Sequence, residues 1–74
     1  MKLTIRLNDL DDVKKFVDIT SRYDEKMSLV NGDYEVDAKS ILGVYSMDLC
    51  ETVCLVCDSE DEALKRDLKP FTAA

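Results

Sequence analysis

Three groups of side chains in this 74-residue chain have types and spacing that chemistry can use. Cys50, Cys54 and Cys57 lie close together, and Cys54-Leu55-Val56-Cys57 has the spacing of a redox or zinc motif. Asp9, Asp11 and Asp12 gather three carboxylates before an apolar-periodic segment. Ser40 stands between an extended stretch and the short apolar run Ile41-Leu42-Gly43-Val44-Tyr45-Ser46-Met47. Each group also has a plain structural reading. The chain contains no histidine, so a four-ligand metal site on the cysteines would need Asp or Glu to complete it. The cysteine run Thr52 to Cys57 reads as a strand, where residues three apart point to opposite faces. Small apolar strand residues are therefore the first reading and a thiol or metal site the alternative. The acids suit a helix N-terminus, and Ser40 suits a helix cap.

The elements that position these groups follow from periodicity. Lys2 to Leu7 alternates, with Leu3, Ile5 and Leu7 on one face of a first strand. Leu10, Val13, Phe16, Val17, Thr20 and Tyr23 then recur at helical spacing, with Asn8 or Asp9 as the cap and Asp12 in the first turn. Met27 to Val30 and Tyr34 to Val36 flank Asn31-Gly32, a hairpin signal. Ser40 opens a short helix, and Asp48 to Glu51 make a turn. Thr52 to Cys57 is a fourth strand with Val53, Leu55 and Cys57 on one face. Ser59 stands three residues before Glu62, a capping-box arrangement that predicts a last helix from Glu60 with Ala63, Leu64 and Leu68 as its apolar side. Pro70 stops helix past Lys69 and leaves residues 71–74 as a short tail. One apolar face per strand suits an α+β fold: a four-stranded antiparallel sheet covered on one side by helices.

Composition bounds the function classes. A chain of this length forms one domain, 1–74, and buries only about 60% of its unfolded surface. An apolar share of 46% argues against disorder. A formal net charge of −6 without a basic cluster opposes nucleic-acid or anionic-membrane binding. No run reaches membrane-span length and no signal-peptide pattern opens the chain, so the expected compartment is the cytoplasm. Three cysteines without a secretion signal do not suggest a disulfide framework.

Lys39-Ser40-Ile41-Leu42-Gly43-Val44 resembles the Lys-Ser-Ile-Met-Gly-Val segment of the HPr family, phosphocarriers of the bacterial phosphoenolpyruvate-dependent sugar phosphotransferase system. Thr20-Ser21-Arg22-Tyr23-Asp24 resembles the end of that family's first helix, Asn31-Gly32 its hairpin, and Ser59 to Glu62 the approach to its last helix. The resemblance implies an open-faced β-sandwich in the order strand-helix-strand-strand-short helix-strand-helix. It also places Ser40 on the family's regulatory serine. The family relays phosphate through a histidine in His-Ala-Arg-Pro. Counting back from Tyr23-Asp24 puts Asp9 at the histidine position and Asp11 at the arginine position, unless the short link from Leu7 to Leu10 marks a deleted loop.

The resemblance with that departure implies a divergent member that has no phosphoryl-transfer histidine and is not an enzyme. The expected role is a regulatory or protein-interaction module. Partners are expected to be proteins, of the phosphotransferase system or of transcription regulation, with no cofactor, metal, nucleic acid or membrane. Ile41, Leu42, Tyr45 and Met47 are the expected docking residues and Ser40 the candidate phosphosite. An unorthodox phosphocarrier, using Asp9 as an acyl-phosphate acceptor or another acceptor, is the first alternative. The three carboxylates disfavour phosphate there, by a few kcal/mol if desolvated and less in water.

Overall fold

The structure, a computed structural model, describes residues 1–47, 51–58 and 60–73. The observed order is β1 (Lys2–Ile5), α1 (Leu10–Thr20), β2 (Met27–Asn31), β3 (Tyr34–Asp37), α2 (Ile41–Tyr45), β4 (Val53–Cys57) and α3 (Glu62–Leu68), closed by a 3-10 turn at Lys69–Phe71. All strand pairs are antiparallel, in the order β1-β4-β2-β3. This is the α+β architecture that the strand patterns imply.

Alternation decides which face is covered. The register aligns Leu3 with Leu55, Leu55 with Leu29, and Leu29 with Val36, so these four form one inward row across the sheet. Val53, Leu55 and Cys57 are all buried, whereas Cys54 and Val56 on the other face are half-buried. Against the inward face lie Val13 and Phe16 of α1, Val44 of α2, and Leu64 and Leu68 of α3, all fully buried. Each such side chain contributes about 1.5–3 kcal/mol through removal from water. Leu10, expected on the same stripe as Val13 and Phe16, is 41% exposed. It shares the edge of that stripe with Val17, itself only half-buried.

Helix starts follow local chemistry. Asp9 caps α1 by accepting the Asp12 N–H at 2.9 Å, and the Asp12 carboxylate accepts the Asn8 N–H at 3.0 Å. The last helix begins at Glu62, two residues later than the capping-box reading predicts. Asp61 is the cap, accepting the N–H groups of Ala63 and Leu64 at 2.9 and 3.3 Å. A carboxylate that satisfies two free amides wins over the serine pattern upstream, and Glu60 turns instead to Lys65 at 3.0 Å. Ser59 and the turn residues Asp48, Leu49 and Cys50 lie outside the described residues.

The hairpin turns on Gly32-Asp33 rather than on Asn31-Gly32, because Asn31 still pairs with Tyr34. Gly32 has φ +61° and no non-glycine among the described residues has a positive φ. A glycine at the first central position alone is the pattern of a II′ turn, whereas Asn-Gly in the centre would require positive φ at both residues.

The C-terminal segment is not a free tail. Pro70 ends the α-helix as expected, but a 3-10 turn follows and carries Phe71 inward, where its ring meets Phe16 edge-on at a centroid distance of 6.2 Å. The Arg6 N–H donates to the Phe71 carbonyl at 2.8 Å and the Ala73 N–H to the Thr4 carbonyl at 2.9 Å. These bonds cover the outer edge of β1, which β4 leaves unpaired. Among the described residues, no helix is long and apolar enough to cross a membrane.

A polar contact ties the segment that follows α1 to α3. The Tyr23 hydroxyl donates to the Asp67 carboxylate at 2.6 Å. That bond, with burial adding to it, pushes the Tyr23 hydroxyl up to about 12, and it holds the Asp67 carboxyl below its ordinary value. For a raised phenol, the stability contribution is complete below the unfolded value near 10 and is lost as pH rises through about 12. For a depressed carboxylate it is complete above the unfolded value, roughly 3.9, and is lost as pH falls through the folded value. Tyr23→Phe should therefore flatten both the alkaline and the acid limb; unchanged limbs in denaturant midpoints against pH would refute the coupling. Phe71→Ala should cost about 3–5 kcal/mol, as for a core aromatic. A loss under 1 kcal/mol in urea unfolding would return this segment to the status of a tail.

Candidate functional site

The short helix α2 is set by its two ends. Ser40 has extended backbone and its Oγ accepts the Gly43 N–H at 3.2 Å, so it is the N-cap that the sequence implies. Before the cap, the Thr20 hydroxyl lies 2.9 Å from the Ala38 carbonyl and 3.1 Å from that of Val17, one proton shared between α1 and the entry to α2. The Lys39 ammonium donates to the Tyr23 carbonyl, and the Lys39 N–H to the Asp37 carboxylate at 2.9 Å. At the far end the Ser46 hydroxyl meets the Gly43 carbonyl at 2.6 Å and the Tyr34 hydroxyl at 2.8 Å.

Only one side of this helix can enter the core. Val44 is fully buried there, with Met47 just beyond the helix at 5% exposure. Leu42 is 80% exposed, Tyr45 52% and Ile41 40%. Met47, expected among the docking residues, is thus a core residue: two positions beyond Tyr45, it turns back beneath the helix layer. The structure adds Tyr34, 50% exposed and bonded to Ser46, which sequence reasoning did not single out. The available signal was strand alternation, which gives Tyr34 the same sheet face as Val36. Four large side chains therefore stand exposed on or beside α2.

Asp9 and Asp11 are brought to the start of α1, with only Asn8 and Asp9 linking buried Leu7 to the helix. Asp9 spends its carboxylate on the cap, and Asp12 is bonded to the preceding amide. No cationic side chain is paired with either among the described residues. The first turn can satisfy its own amides but offers negative charge to any approaching anion.

Cys54 and Cys57 are not brought together: Cys57 is buried under the helices and Cys54 sits half-buried on the open face. Cys50 lies outside the described residues. A separate cleft of about 540 Å³ runs between α1 and the C-terminal segment. Its cations Arg6, Lys15 and Arg22 are balanced by Asp12, Asp18 and Asp67, and Arg22 is already paired with Asp18 at 2.6 Å.

No family model matches the chain, and a search of curated proteins gives no match. Among solved structures, the chain is similar to HPr-C-His from Thermoanaerobacter tengcongensis, with a TM-score of 0.73 at 20% identity. The likeness covers 95% of this chain and 85% of that one. At that identity it speaks to architecture: the chain has the HPr-like fold.

Proposed function

We propose that this HPr-like chain acts as a non-enzymatic interaction or regulatory module that docks a protein partner through α2. The observation that carries this reading is the exposure of Leu42, Tyr45 and Ile41, with Tyr34 beside them, on an element whose ends are both fixed by hydrogen bonds. A rigid apolar patch on so small a domain is a preorganised contact surface, with little ordering left to be done on binding. Phosphoryl relay by the fold's usual route needs an imidazole nucleophile, and the chain has none. Asp9 as a substitute acceptor is disfavoured by its engagement as a cap and by the neighbouring carboxylates. A thiol or metal centre finds no support in the opposed faces of Cys54 and Cys57. We place the protein in the cytoplasm and relate its partners to the phosphotransferase system or its regulation. Ser40 is the proposed point of control, since a phosphate there would stand beside Ile41 and add a charge near −2 at the patch.

Incubation with enzyme I and phosphoenolpyruvate should leave no stoichiometric acid-labile phosphate on the chain. Robust labelling that disappears in Asp9→Asn would overturn this and restore the acyl-phosphate route. Leu42→Asp should weaken a purified partner by about 1–2 kcal/mol or more, with the fold losing no more than roughly 0.5 kcal/mol. Unchanged affinity in a folded Leu42→Asp protein would sink the docking reading. Ser40→Asp keeps a cap acceptor while adding charge, so a shift in partner affinity at constant thermal stability is the expected sign of control at this residue.

A further inference from the structure

At its hairpin end the patch on α2 has a charged border, and that border is acidic. Tyr34 is fixed beside the C-terminal end of α2 by its hydroxyl contact with Ser46 at 2.8 Å. Asp33 immediately precedes it in the turn and is exposed. Across the hairpin from Tyr34 stands Asn31, whose side-chain amide reaches the exposed Glu51 carboxylate at 3.4 Å. Among the described residues, neither Asp33 nor Glu51 is ion-paired; the side-chain salt bridges use Asp18, Glu60, Glu62 and Asp67 instead. The start of α1 lies toward the same end of the molecule. Register puts Ile5 beside Val53 and Val30 beside Cys54, so the end of β1 that feeds α1 lies level with the hairpin turn. The far end of α1 is held at Ala38 through Thr20. Asp9 and Asp11 thus add to the negative field at the end where Tyr34 and Tyr45 stand. At the other end of α2, Lys39 is committed to the Tyr23 carbonyl.

Resting on the docking reading above, we infer that the occupant of this patch is a basic protein segment. It places an apolar anchor on Leu42 and Tyr45 and directs Lys or Arg side chains at Asp33 and Glu51. Unpaired carboxylates beside an apolar centre attract cations over a Debye length and repel acidic competitors, which sets the partner's sign more than its affinity. A second copy of this chain is the wrong occupant, because it would bring its own Asp33, Glu51 and net charge of −6 to the contact. Nucleic acid and anionic lipid fail for the same reason.

The probe is a pair of synthetic amphipathic peptides with the same Leu and Phe anchor face, one carrying Lys and Arg at its polar positions and the other Glu. The basic peptide should shift the amide signals of Tyr34, Leu42, Tyr45 and Glu51 saturably, and the acidic peptide should bind at least about tenfold more weakly. Leu42→Ser, a change at an exposed position that leaves charge unaltered, should abolish the shifts at these amides. Asp33→Asn with Glu51→Gln should lower affinity about three- to tenfold and flatten its dependence on salt. No binding of the basic peptide, equal binding of the acidic one, or binding indifferent to both sets of substitutions each overturns the assignment. So does a dimer in sedimentation that Leu42→Ser dissolves, since the occupant would then be a second copy. The docking reading is judged separately by Leu42→Asp with a purified partner and can survive this assignment's failure.

Discussion

The structure depends on β4. This strand hydrogen-bonds β1 on one side and β2 on the other, and its alternate residues Val53, Leu55 and Cys57 are all buried. A one-residue slip would turn Cys54 and Val56 inward and expose the three residues on which the helices rest. In a chain this short no second core exists to absorb such an error, so the register of β4 is also the register of the whole domain. Helices α1 and α3 settle on that surface, and the edge-on contact between Phe16 and Phe71 brings the C-terminal segment to the outer edge of β1.

The same constraint explains why α2 is exposed. The inward face of the sheet is taken by α1 and α3, and α2 sits to one side, packed on α1 and β3. A five-residue helix there can bury one residue, Val44, and the next apolar side chain to turn inward, Met47, lies just past its end. Ile41, Leu42 and Tyr45 have nowhere to go but outward. Hydrogen bonds at Ser40 and at Ser46 keep the helix formed despite its length, which is far too short for propensity alone to sustain. The patch is therefore rigid because its ends are tied, and apolar because its sequence has more hydrophobic residues than its position can bury.

Electrostatics gives the patch its character. The start of α1 presents Asp9, Asp11 and Asp12, and the chain has no histidine. Carboxylates there cap the helix and complement its dipole, which stabilises the element while making it inhospitable to anions.

Much of this was legible in the residues themselves. Period-two runs in β1, β2 and β4, the helical stripe of Val13, Phe16 and Thr20, and the caps Asp9 and Ser40 are local features, and local sterics and hydrogen bonding decide them. So was the separation of Cys54 from Cys57, which follows from strand geometry alone. The rest needed tertiary structure. Whether Met47 or Leu42 faces the core depends on where α2 lies over the sheet, not on its own period. Asp61 rather than Ser59 as the cap of α3, and Gly32-Asp33 rather than Asn31-Gly32 as the turn, are choices between near-equivalent local solutions that packing tips by a residue or two. Pro70 correctly announced the end of an α-helix, but only the gap beside Phe16 and the open edge of β1 could make residues 71–73 part of the fold. A sequence states what each segment can bury; the shape of the space left by the other segments determines what it does bury.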